Sequence, residues 1–159
     1  MPERKIPQID TKAPAFTLLN QNDEKVKLTD YKDQWVVLYF YPKDDTPGCT
    51  KEACEFTDNI RDFNKLDANI IGISPDSTER HRKFTDKYKL KFNLLSDPDK
   101  KVMAKYGAFG TKKMYGKEVQ GVIRSTFIIN PKGKIAYTWA SVKAAGHAEK
   151  VKEKLGEFI

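Results

Sequence analysis

The chain has 159 residues, 29 Lys and Arg against 22 Asp and Glu, a net charge of +7 and two cysteines. This length suits a single compact domain, 1–159, that can bury a core without metal or disulfide staples. No apolar run reaches the roughly 18 residues of a membrane span, and Met1 to Lys12 is too polar for a secretory signal, so a cytoplasmic protein is expected.

In chain order, two weak strands come first. Ala15 to Leu19 and Lys25 to Leu28 bracket the turn-rich Asn20-Gln21-Asn22-Asp23. Val36 to Tyr41 is the strongest strand; it is almost wholly apolar or aromatic and is expected to be central and buried on both faces. A long helix follows over Cys49 to Leu66, then a strand over Asn69 to Ile73, a helix over Thr78 to Tyr88 and a strand over Phe92 to Leu95. Lys100 to Tyr106 is a short helix. Ser125 to Asn130 and Lys134 to Trp139 flank Pro131-Lys132-Gly133, a hairpin turn. His147 to Phe158 closes the chain as a helix. The pattern predicts an α/β fold with a mixed sheet between helices and leaves thioredoxin-like and flavodoxin-like topologies open.

The positive charge is interspersed with acids, as in Asp86-Lys87-Tyr88-Lys89 and Glu149-Lys150-Val151-Lys152-Glu153-Lys154, the pattern of solvated helix faces. No phosphate loop or RNA-binding aromatic motif accompanies it, so no nucleic acid and no membrane partner is expected. Cys49, Cys54, His81 and His147 lack the paired short spacings of a zinc site, so no metal is expected. His81 lies in the charged run Glu79-Arg80-His81-Arg82-Lys83 and is expected to be exposed, while His147, after Gly146, helps start the last helix. Tyr39 and Phe40 are expected as core or pocket wall.

Chemistry concentrates where the central strand ends, the usual place for sites in open α/β sheets. Thr46-Pro47 reads as a helix start, a hydroxyl cap followed by proline at the first helical position. Cys49 is then the third helical residue. Its backbone N–H and that of Gly48 lack intrahelical acceptors, and the positive helix end favours a thiolate. Gly48 puts no side chain in the way. Cys49, Ala53, Phe56, Ile60 and Phe63 share one helix face, so Cys49 points inward. Cys54 lies about 140° around the helix, with its Cα roughly 8.6 Å away. Disulfides rarely span more than about 7 Å, so a bond between the two requires the first turns to unwind. Asp44, Asp45 and Glu52, if close and ionised, would oppose the thiolate, and the local motif supplies no cation.

Phe40-Tyr41-Pro42-Lys43, Thr46-Pro47-Gly48-Cys49-Thr50 and Cys54 together resemble the peroxiredoxins of the PrxQ, or bacterioferritin comigratory protein, subfamily. The resemblance runs through Gly72-Ile73-Ser74, Leu94-Leu95-Ser96-Asp97, Lys105-Tyr106-Gly107 and Arg124-Ser125-Thr126-Phe127-Ile128-Ile129, and so covers essentially the whole chain. It implies a thioredoxin-like fold with an N-terminal β-hairpin extension. It also implies a thiol peroxidase that reduces hydrogen peroxide and organic hydroperoxides. Cys49 would be the attacking cysteine and Cys54 its resolving disulfide partner. Thr46 would hydrogen-bond thiolate and peroxide, Pro47 would shield the site, Arg124 would be the missing cation and Glu52 would orient it. The resemblance implies no cofactor and a thioredoxin or similar dithiol as reductant; a monomer is expected over a dimer, with the oligomeric state left open by the sequence. Phe109 departs from the pattern, because members often carry Trp there. Alternation along the strand from Ser125 independently puts Arg124 on one face with Thr126 and Ile128. Two rivals are a thioredoxin-type disulfide reductase, which would use Cys-x-x-Cys, and a basic nucleic-acid-binding protein.

Overall fold

The computed structural model describes residues 5–159; Met1 to Arg4 of the polar N-terminal stretch lie outside the described residues. The elements are β1 (Thr17–Leu19), β2 (Lys25–Lys27), β3 (Trp35–Phe40), α1 (Pro47–Asp58), α2 (Ile60–Lys65), β4 (Ala68–Ser74), α3 (Thr78–Tyr88) and β5 (Asn93–Ser96). They continue with α4 (Lys101–Lys105), β6 (Phe109–Met114), β7 (Lys117–Val122), β8 (Ser125–Ile129), β9 (Ile135–Trp139) and α5 (His147–Phe158). Seven strands form one mixed sheet in the order β2-β1-β5-β4-β3-β8-β9. β3 pairs in parallel with β4 and antiparallel with β8, which makes it central, as its apolar run predicts. The N-terminal hairpin of β1 and β2 joins the sheet edge through Leu19 opposite Ser96.

Period-two alternation along β3 divides the core. Val36, Leu38 and Phe40 face one layer, with Phe16, Met103 and Tyr106; Val37 and Tyr39 face the other, with Phe56, Phe84 and Val151. The second layer lies under α1, α2, α3 and α5, and Cys49 belongs to it. Among the described residues no helix is long and apolar enough to cross a membrane.

Besides a short 3-10 helix over Leu28–Tyr31, the structure departs from the sequence-based elements in two places. The long helix predicted to Leu66 is divided at Asn59, whose side chain donates 2.8 Å to the Glu55 carbonyl while its backbone N–H is shared between Glu55 and Phe56. A polar side chain bonding its own helix backbone competes with the regular ladder there. The second departure is the β6–β7 hairpin, which the sequence did not signal. Its strands are mainly polar and its tip is Tyr115-Gly116, both at positive φ, 53° and 77°. Such two-residue turns usually carry Asn, Asp or Gly in the first position, and Tyr hides the turn.

Candidate active site

α1 begins at Pro47, so Cys49 is its third residue, as the cap pattern predicts. Cys49, Glu52, Ala53 and Phe56 form the buried face at helical spacing. Cys49 is 1 % exposed and Cys54 half-buried, and both are free thiols within the one intact helix.

Arg124 reaches this face from the residue before β8. Its Nη2 donates to Cys49 Sγ at 3.0 Å and its Nη1 to Glu52 Oε1 at 3.0 Å. The fork geometry of guanidinium suits such a two-partner grip, and an ammonium could not reproduce it. Gly48 makes room for it, because a Cβ there would lie 3.0 Å from Nη2. The Glu52 side chain is 1 % exposed. Burial pushes its carboxyl up to about 7, with the Arg124 charge pulling in the opposite direction and losing. Burial, then the nearby Asp58 carboxylate, raise the Cys54 thiol.

Thr46 occupies the N-cap position in extended conformation, and its carbonyl accepts the Thr50 N–H at 2.8 Å. Its hydroxyl does not cap the helix as the sequence suggested. It turns back and donates to the Lys43 carbonyl at 2.9 Å, a local side-chain-to-backbone bond that competes with the cap. Among the described residues no hydrogen bond joins Thr46 to Cys49. The acidic neighbours are engaged elsewhere. Asp45 pairs with Lys87 and Tyr88, and Asp44 is buried against Tyr41 and His81.

His81 is fully buried, which corrects the exposed position read from its charged flanks. It shares the inner face of α3 with Phe84, three residues on, a spacing that could have signalled its burial. Asp44, Asp76 and His81 bring three potential ligand atoms within 4.8 Å. These side chains are already bonded within the protein: Asp44 to Tyr41 and His81, Asp76 to Ser74 and Arg80, and His81 also to the Leu95 carbonyl. The cluster is a closed hydrogen-bond network. His147 starts α5 after Gly146 and its Nε2 lies 2.8 Å from Thr126 Oγ1; burial holds its imidazole down at about 4. Phe109 opens β6 and lines a groove of about 470 Å³ with Pro42, Pro75 and Lys100.

A thiol at a helix start, gripped by an arginine that leads into the neighbouring strand of a thioredoxin-like sheet, defines a class of redox enzyme. Residues 9–138 match the AhpC/TSA family. Peroxiredoxin Bcp of Bacillus subtilis is 47% identical over 95% of this chain and 96% of its own length. The structure of PrxQ from Xylella fastidiosa superposes with a TM-score of 0.91 at 36% identity, covering 97% of this chain and 98% of that one. The bacterioferritin comigratory protein of Xanthomonas campestris, described in terms of alkyl peroxide reduction, gives a TM-score of 0.86 at 38% identity over 90% and 91% of the two chains. The chain belongs to the AhpC/TSA family and, within it, to the Bcp, or PrxQ, peroxiredoxins, which are thiol peroxidases.

Proposed function

We propose that this peroxiredoxin reduces hydrogen peroxide and organic hydroperoxides through Cys49, with Cys54 resolving the oxidised sulfur in the same chain. The observation that carries the proposal is the 3.0 Å contact between the Arg124 guanidinium and Cys49 Sγ. A buried sulfur beside a fixed positive charge and helix-start N–H groups sits where negative charge in the reaction is met by donors already in place.

Peroxide enters beside Thr46 and Pro47. The Cys49 thiolate attacks the terminal oxygen, an S–O bond forms and the O–O bond breaks. The departing alkoxide or hydroxide takes a proton and leaves as alcohol or water, and Cys49 becomes a sulfenic acid. Arg124 and the helix N–H groups meet the charge that builds on the leaving oxygen, a stabilisation already in place before reaction. Glu52 fixes the guanidinium from its far side, and Gly48 leaves the space it occupies.

Cys54 then attacks Cys49 sulfur, hydroxide leaves and takes a proton to become water, and the disulfide forms. In an intact helix residues five apart are roughly 8.6 Å apart at Cα, so the first turns of α1 unwind for this step. A dithiol protein such as thioredoxin reduces the disulfide by exchange and is itself oxidised. A cytoplasmic monomer in antioxidant defence fits this chemistry, since the cycle needs a compartment that keeps thiols reduced.

The test is peroxide-driven oxidation of reduced thioredoxin. Wild type turns over with hydrogen peroxide and an organic hydroperoxide, and Cys49→Ser consumes neither; retained turnover in Cys49→Ser removes Cys49 as the nucleophile.

A further inference from the structure

The stretch that has to unwind for the Cys49–Cys54 bond lies between two tethers. Downstream, Glu55 accepts the Gly146 N–H at 3.0 Å and so ties α1 to the start of α5. Upstream, the loop from Tyr41 to Thr46 is bound to α3 and the end of β4. The Asp44 backbone N–H donates to Asp76 at 2.7 Å, and the Asp44 carboxyl meets Tyr41 Oη and His81 Nδ1, each at 2.5 Å. Asp45 holds a left-handed conformation, φ 57°, with its carboxylate taken by Lys87 and Tyr88. Between the tethers, Cys49 and Glu52 are held by the one guanidinium of Arg124.

The Asp44–His81 pair is built to be stiff. Its side chains are 2% and 0% exposed. Both ring nitrogens of His81 are engaged, Nε2 with the Leu95 carbonyl at 3.0 Å and Nδ1 with the Asp44 carboxyl. Tyr41 donates to the other carboxyl oxygen. A buried network with its members satisfied is rigid, and removing one partner strands a buried polar group. Among the described residues His81 makes no hydrogen bond to Cys49 or Arg124, so its action on them runs through the loop.

We propose that Asp44 and His81 are positioning residues that clamp the loop before Cys49 to α3, confine unwinding to Pro47–Cys54, and keep Thr46-Pro47 in place for peroxide capture. This inference rests on the disulfide cycle above. Loosening the clamp shifts the population from the wound, capturing form toward the unwound, resolving form, so the two steps change in opposite directions.

Reduced protein is mixed with hydrogen peroxide, quenched at intervals, and its Cys49 sulfenic acid and disulfide are quantified by mass spectrometry. His81→Phe alone leaves a buried carboxyl without its partner, so the clamp is removed with the double variant Asp44→Ala/His81→Phe. Cys49 oxidation is expected to slow about tenfold, as for a mispositioned reacting group, while disulfide formation speeds up about threefold. Asp44→Asn rescues both within about threefold, because the amide oxygen accepts from Tyr41 and its NH₂ donates to neutral His81 Nδ1. A double variant whose two rates stay unchanged or fall in parallel overturns the clamp, as does an Asp44→Asn protein that behaves like it. If wild type forms no Cys49–Cys54 disulfide, the cycle itself is wrong and the clamp falls with it. A wild type that forms the bond beside a double variant without the split rejects the clamp alone.

Discussion

Arg124 Nη2 lies 3.0 Å from Cys49 Sγ although 75 residues separate the two in sequence. The pairing is made by topology. β8 lies antiparallel beside β3, with Ser125 opposite Phe40, so Arg124, the residue just before β8, stands next to the loop and helix that leave the end of β3. Replacing Arg124 by Ala removes the donor aimed at Cys49 Sγ, and in the proposed reaction thiolate attack is expected to slow by about 10²-fold or more. Stopped-flow oxidation by hydrogen peroxide reads this directly, and an unchanged rate constant removes Arg124 from the site.

Gly48→Ala separates stability from activity. A Cβ there sits 3.0 Å from Nη2 and 3.6 Å from Cζ of Arg124, so the guanidinium has to shift. Alanine is also the better helix former, by up to about 1 kcal/mol. The expected variant oxidises about tenfold more slowly, less than the about 10²-fold that a full 1 Å misplacement can cost, with Tm unchanged or raised. Equal rates in variant and wild type mean that the guanidinium can move without cost.

Glu52 supplies a pH signature. Its folded value of about 7 stands above its ordinary 4.5, so the native state keeps a proton that the unfolded chain has released. Stability from this group is fully present below pH 4.5 and is lost as pH rises to about 7. The shift corresponds to roughly 3 kcal/mol. His147, held at about 4, acts in the other direction, since its contribution is lost as pH falls from its ordinary 6.5 toward 4. Subtracting Glu52→Gln from wild type isolates the first effect. Denaturant midpoints across pH 4–8 should show wild type losing stability relative to Glu52→Gln as pH rises; parallel curves contradict it.

The proposed resolving step at Cys54 should be faster at higher pH. Burial and then Asp58 raise the Cys54 thiol, so at neutral pH little of it is ionised. Asp58→Asn removes the second cause. Disulfide formation at pH 7 should accelerate about two- to fivefold, with the pH profile displaced to lower pH, as expected when a nearby carboxylate is neutralised. Single-turnover quench experiments across pH 6–10 measure this. A profile that does not move shows that Asp58 does not act on Cys54 during resolution.

The sequence showed most clearly what local patterns encode. The apolar run of β3, the Thr46-Pro47 start of α1 and the Pro131–Gly133 turn have their signals within a few residues, and the structure has them. The β6–β7 hairpin was hidden by polar strands and a Tyr at its tip, and the break at Asn59 by an otherwise helical pattern. His81 was hidden by charged neighbours, since burial depends on which face of α3 meets the sheet and not on flanking composition. The Cys49–Arg124 contact lies beyond any spacing rule, and family resemblance alone suggested it.

The most direct measurement is the covalent state of Cys49 and Cys54 after one equivalent of hydrogen peroxide, read by mass spectrometry on wild type, Cys49→Ser and Cys54→Ser. The expected result is a peptide-mapped Cys49–Cys54 disulfide in wild type, a sulfenic acid at Cys49 in Cys54→Ser, and no oxidation of Cys54 on the same timescale in Cys49→Ser. Rapid oxidation of Cys54 in the absence of Cys49, or a wild type that stops at the sulfenic acid, contradicts it.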